Sequence, residues 1–280
     1  MKLSEKYNKL FKKTPIFGRI YLTKDYPIKK LLKELEIFEE EGINGIIFES
    51  CYNQIPTIEK LLEEVYTPKK DPNKKFNLEI GINILPNNFK ESFKLVKKYN
   101  LDFIQLEYIT GTYVVNKPYK TSLDFEEYKK QKEKNKNIVV LGGVWPKYYT
   151  PIFGSKLKKD LETAIKRTEA IIVTGSGYGQ ETPIEKIKTF KKMTNNHPLI
   201  IGAGLTAENA YKQLLISNGA IVGTSLKIDY NNQKYVNRRK VKAFMNIVKE
   251  VRKEKENLIC PIKEIEKNKQ QLKTNITIII

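Results

Sequence analysis

Eight short apolar runs punctuate the chain, and their rhythm constrains the fold more than any other feature. They are 15–22 (PIFGRIYL), 45–50 (GIIFES), 78–85 (LEIGINIL), 102–109 (DFIQLEYI), 138–144 (IVVLGGV), 170–175 (AIIVTG), 198–204 (PLIIGAG) and 220–226 (AIVGTSL). Amphipathic stretches alternate with them. Ile28, Leu31, Leu32, Leu35, Ile37 and Phe38 recur near helical spacing, and Gly42 is a stop signal. Further helices are predicted over 57–65, 89–99, 156–167, 184–193 and 238–253, and from Ala207 behind a Thr206 cap. Runs that are apolar throughout belong in a parallel sheet covered on both faces. Eight such units close into a (β/α)8 TIM barrel of the α/β class. The competing doubly wound sheet usually has fewer strands and a glycine-rich loop after the first. Here LTKDYP follows instead.

A length of 280 residues suits one such barrel. It would occupy 15–256, between an N-terminal arm at 1–14 and a lysine-rich tail at 257–280. The tail ends NITIII and reads as a docked or frayed strand. No apolar run reaches the ~20 residues of a membrane span, and MKLSEKYNKLFKK lacks the apolar centre of a signal peptide. Cys51 and Cys260 stand far apart, which fits a reducing cytoplasm. A single histidine, His197, removes most histidine metal sites and most nucleophile triads. No acidic cluster has metal spacing, so neither metal nor cofactor is expected.

The net charge of +19 comes from 46 lysines and only five arginines. Lysine is spread over almost every polar segment, as on solvated helix faces. No basic stripe with interleaved aromatics stands out, so specific nucleic-acid recognition is not expected beyond a loose electrostatic affinity.

The clearest chemical signal follows the last two runs. Gly202-Ala203-Gly204-Leu205-Thr206 leads into a helix, and Gly223-Thr224-Ser225 ends the next strand. In barrels these adjacent loops are the usual phosphate site, where backbone N–H groups and a helix N-terminus face the anion. The plainer alternative is that the glycines relieve crowding at strand ends. Thr174-Gly175-Ser176-Gly177-Tyr178-Gly179 lacks dinucleotide or P-loop spacing and is either a closing loop or a simple turn.

The order EAIIVTGSGYG, GAGLTAEN, AIVGTSLK and VNRRKV resembles the BtpA/SgcQ family of barrel proteins. The resemblance extends back through GINGIIFES, GINILPNN and DFIQLEYITGTYV, over roughly 15–250. It implies a barrel of the ribulose-phosphate-binding type, in a family whose name is linked to photosystem I biogenesis and which has no assigned reaction. Several family positions differ. Ser50, Asn53, Gln105, Asn116, Gly143, Tyr148 and Asn237 stand where asparagine, carboxylates, arginine or histidine are usual, and Pro86-Asn87-Asn88 replaces an Arg-Asn-Asp-like run.

Glu49 and Glu107 fall near the ends of their strands, where a buried carboxyl pair would exchange protons with a substrate. Their alternative is pairing with a lysine or backbone N–H. Asn83 would orient a hydroxyl or amide. Lys147 occupies a matching family position and would neutralise an anion or form a Schiff base. Cys51 lies by the same rim and His197 at the opposite end, so no Cys–His dyad is expected. The leading expectation is a small phosphorylated or anionic, sugar-like metabolite held by Thr174, Gly175, Gly202, Gly204, Gly223, Thr224 and Ser225. Glu49, Glu107 and Lys147 would then perform isomerase, lyase or nucleosidase-like chemistry. The alternatives are a non-catalytic assembly factor and an electrostatic RNA binder. Homo-oligomerisation through helix faces is compatible with such a barrel, though no apolar stripe marks a surface.

Overall fold

The computed structural model describes residues 10–11, 13–51, 54–65, 76–115, 119–177, 179–231 and 234–277, with side chains as far as Leu258 apart from Val65. Asn53, Asn116, Tyr178, most of the N-terminal arm and the last three residues lie outside the described residues. Eight parallel strands form the closed barrel: β1 (Ile16–Tyr21), β2 (Gly45–Cys51), β3 (Glu79–Leu85), β4 (Phe103–Leu106), β7 (Val139–Gly143), β9 (Ala170–Val173), β10 (Leu199–Ile201) and β11 (Gly219–Val222). Closure is made by Ile16 to Gly18 of β1 beside Ala220 to Val222 of β11.

The remaining strands, β5 (Thr112–Val115), β6 (Tyr119–Ser122) and β8 (Thr150–Pro151), form a small antiparallel sheet. It joins the two long loops after the fourth and fifth barrel strands, which the sequence leaves as plain loops. Tyr108, Tyr113 and Tyr149 pack beneath it with ring centroids 5.2–5.9 Å apart.

The helices are α1 (Ile28–Glu40), α2 (Ile55–Val65), α3 (Phe89–Tyr99), α4 (Phe125–Lys134), α5 (Leu157–Ile165), α6 (Ile184–Thr194), α7 (Ala207–Ile216) and α8 (Arg238–Thr277). Leu31, Leu35 and Phe38 put one face of α1 on the barrel. Phe38 lies where a Cβ on Gly18 would sit, 2.8 Å away, so that position admits only glycine without repacking. Asn88 caps α3 by accepting from Glu91 N–H, and Asn100 ends it in the left-handed conformation. The helix α4 escapes sequence reading because Tyr128 is its one buried residue. As far as Thr277 the tail is helix instead of the expected strand: α8 continues well past the predicted end at 253, and the last three residues of NITIII lie outside the described residues.

Two apolar layers hold the fold. One lies between barrel and helices. The other fills the barrel interior with Phe17, Ile47, Phe103, Leu141, Ile172, Ile200 and Ile221, and Leu10 and Phe11 of the arm join it. The Phe17 and Phe103 rings meet at 4.8 Å. Each such fully buried side chain contributes about 1.5–3 kcal/mol.

A sealed polar cluster ties α1 to the segment after β11. Glu34 is wholly buried and accepts from Tyr26 Oη and, at 3.0 Å, from Val236 N–H. Lys227 Nζ, equally buried, lies 3.6 Å from Glu34 Oε1. Lys30 stands over the rings of Tyr26 and Tyr235.

Candidate active site

Strand alternation builds the mouth of the barrel. Two residues beyond the apolar layer, the same strands present Arg19, Glu49, Gln105, Gly143, Thr174, Gly202 and Gly223. Asn83 of β3 lies in register with Glu49. One pleat thus converts a hydrocarbon floor into a polar ring.

Asn83 is the hinge of that ring. Its Nδ2 donates to Glu49 Oε2 at 3.2 Å and to Glu107 Oε1 at 3.1 Å, so one amide holds both carboxyl groups. Glu49 is also ion-paired with Arg19, whose Nη1 stands 2.8 Å from Oε1, with both residues under 9% exposed. Burial, and then the nearby Glu49 charge, push the Glu107 carboxyl above its ordinary range, against the pull of Asn83, Lys147 and Arg19. Lys147 is held below the usual lysine range by burial and by Arg19. The Asn83 Oδ1 and Gln105 Oε1 atoms are buried with no hydrogen-bond partner among the described residues.

Two chambers open above the ring. One, of about 380 Å³, is lined by Arg19, Lys147, Gly202, Gly204, Gly223, Thr224 and Ser225. The other, of about 910 Å³, is lined by Glu49, Glu107, Tyr21, Tyr148, Asp229 and Tyr230, and it shares Arg19, Lys147, Thr224 and Tyr230 with the first. The two expected halves of the site, glycine loops and carboxyl pair, therefore face one continuous space. Thr206 N–H donates to Asn209 Oδ1 at 2.8 Å, and Asn209 Nδ2 donates to Gly204 O at 2.9 Å, which fixes the loop entering α7. Ser225 Oγ donates to Leu205 O at 2.6 Å and ties the two glycine loops together.

Gly204 serves both readings open at the sequence level. Its φ of +68° is left-handed, and a Cβ there would stand 1.9 Å from the Gln180 carbonyl oxygen. It relieves crowding and also lines the chamber. Thr174 accepts from Lys147 N–H at 2.8 Å through its hydroxyl, while its carbonyl accepts from Lys186 at 2.8 Å. Gly175 faces the Glu181 carbonyl instead of either chamber. Cys51 ends β2 beside Tyr21, whose hydroxyl is 3.7 Å from its sulfur. His197 lies before β10, at the other end, where burial and Lys191 push it down to about 4.

Two family departures are structural. Ser50 turns away from the mouth and donates to Leu22 O at 3.0 Å. Asn237 accepts from Arg239 and Lys240 N–H at 3.0 and 3.3 Å, capping α8 as an aspartate would. Arg19, Gln105, Tyr148 and Tyr230 belong to the site, yet sequence reasoning gave them no binding or catalytic role. For Arg19 a signal existed: it is one of five arginines, and it interrupts the apolar run PIFGRIYL.

Among the described residues, no group of three or more His, Cys, Asp or Glu is placed to hold a metal ion, and no helix is long and apolar enough to cross a membrane. The fold is shared with metabolic enzymes. Phosphoribosyl anthranilate isomerase from Thermus thermophilus superposes with a TM-score of 0.56 and 12% identity, covering 85% of this chain and 99% of its own. The tryptophan synthase alpha chain from Legionella pneumophila gives 0.57 and 13%, covering 89% and 98%. At such identities the likeness is one of fold alone. An uncharacterized protein of Methanocaldococcus jannaschii is 24% identical over 260 residues, 87% of this chain and 98% of its own length. The photosystem I biogenesis protein BtpA of Synechocystis is 24% identical over 178 residues, 63% of this chain and 62% of its own. The model of the BtpA family matches residues 25–250, most of the barrel, and the chain belongs to that family.

Proposed function

We propose that this barrel binds a small phosphorylated or otherwise anionic, sugar-like metabolite and performs acid–base chemistry on it, of isomerase, lyase or nucleosidase type. The observation that carries the reading is the pair of carboxyl groups on one amide, facing the same space as the glycine loops. Their environments differ. Glu49 is bound to a guanidinium, whereas burial raises the Glu107 carboxyl above its ordinary range, and this division suits a charge-stabilising group beside a proton donor. Backbone N–H groups within 203–205 and 223–225 and at the start of α7 would face the anion, with Arg19 and Lys147 supplying positive charge, while those of Gly202 and Thr206 hold the loop itself through Val173 O and Asn209 Oδ1. Thr174 positions Lys147 through its backbone.

A thermal-shift screen against sulfate, inorganic phosphate and sugar phosphates tests the binding half. A compound at about 100 times its Kd stabilises the fold by roughly 2.7 kcal/mol. The shift should vanish in Ser225→Asp, which places a carboxylate in the anion chamber. Gly204→Asp is a poorer choice, because any side chain there collides with backbone. Once turnover is measurable, Glu107→Gln should lower kcat by about 100-fold or more. Full activity in Glu49→Gln and Glu107→Gln would remove the acid–base assignment.

A further inference from the structure

We propose that the phosphorylated ligand also carries a planar ring, in the manner of a nucleoside 5′-monophosphate, and that Tyr148 and Tyr230 receive that ring at the rim. This rests on the anion-site reading and narrows it to a substrate class. Tyr148, in the loop after β7, has φ +68°, and Tyr230, in the segment after β11, has φ +51°. A bulky residue in the left-handed region is a strained outlier, and such outliers concentrate where a side chain must be aimed. Both tyrosines are 58% exposed, and both line the larger chamber, above the carboxyl pair. The backbone therefore spends strain to hold two aromatic rings at the rim, each more exposed than buried.

The chambers have the proportions that such a ligand needs. Tyr230 borders both, so a molecule whose phosphate lies against Gly223 and Thr224 extends under its ring. Lys240 Nζ lies 3.6 Å from the centroid of that ring, which fixes its position and adds positive charge nearby. Asp229, also in the larger chamber, accepts hydrogen bonds and suits sugar hydroxyls between phosphate and ring. A short sugar phosphate would occupy the anion chamber and leave the tyrosine rim unused.

The test compares equilibrium dissociation constants of inorganic phosphate, ribose 5-phosphate and the four common nucleoside 5′-monophosphates. At least one nucleotide should bind about fivefold or more tighter than ribose 5-phosphate, the lower end of what one aromatic–base stack supplies. Tyr148→Gly and Tyr230→Gly remove each ring at a backbone conformation that glycine adopts freely, so folding is not at risk. Each should narrow the gap between nucleotide and ribose 5-phosphate, and Tyr148→Phe, which keeps the ring, should preserve it. Ribose 5-phosphate binding as tightly as every nucleotide would overturn this inference and leave the anion site standing. A gap that survives both glycine variants would also overturn it. No binding by any phosphate compound would overturn the anion reading itself, and the ring assignment with it.

Discussion

The molecule contains two buried clusters built from the same chemistry, a glutamate, a cation and a hydrogen-bond donor, and they differ in what surrounds them. Around Glu34 the partners are buried with it: Tyr26 and Val236 donate to it, Lys227 approaches it, and neither chamber reaches it. Around Glu49 the same elements border open space, a second carboxyl group shares the amide, and two acceptor atoms have no described partner. A closed charge cluster fixes geometry. An open one with surplus acceptors has capacity left for something that arrives from solution.

Replacing each cation in turn sharpens that contrast. Lys227→Met should have the largest effect on folding, a loss of about 3–5 kcal/mol in urea denaturation, because Glu34 is left buried without its cation. Adding Glu34→Gln should restore most of that loss. Arg19→Met should destabilise the fold less, since water reaches Glu49 through the mouth, yet it should abolish sulfate binding. Equal destabilisation by the two variants would erase the distinction between the clusters.

Smaller effects concern pH. The folded state raises the Glu107 pKa, so this group's ionised form is disfavoured in the fold. Its contribution to stability is complete below the ordinary carboxyl range and falls as pH rises through the raised value. Sulfate, whose own charge is constant, should bind more weakly across the same interval as the mouth gains a negative charge. Glu107→Gln should flatten that step in a titration followed by calorimetry. Lys227 gives a signal of the opposite sign. Burial pushes it down to about 8, so between there and the usual lysine value near 10.4 the unfolded chain holds more protons. Stability should therefore rise with pH over that window. Lys227→Met should lose its share of the rise, while Lys255, also pushed down to about 8, keeps its own.

The barrel was legible because apolar runs announce strands buried on both faces, and each predicted run overlaps one barrel strand. Boundaries were less legible: the predicted run 220–226 merges β11 with the short helical turn Thr224–Leu226. The small β5–β6–β8 sheet escaped because Tyr113 is its one buried residue and its side chains follow no apolar period. Glu49, Glu107 and Asn83 were found by asking which polar residues sit at strand ends. Arg19 was read as part of an apolar strand. Tyr148 and Tyr230 carried no local signal, since their importance lies in backbone conformation and in a chamber assembled from distant segments.

The pairing of β1 with β11 has a consequence for how the chain is made. Until Gly219–Val222 has been synthesised, β1 has no partner on one side and the sheet is a curved ribbon with two raw edges. Phe11 and Leu10, synthesised before every barrel strand, cannot reach their full packing before Ile221 arrives. This long-range pairing forms late, so interrupted synthesis leaves a sticky edge beside an unseated aromatic plug, a form exposed to aggregation.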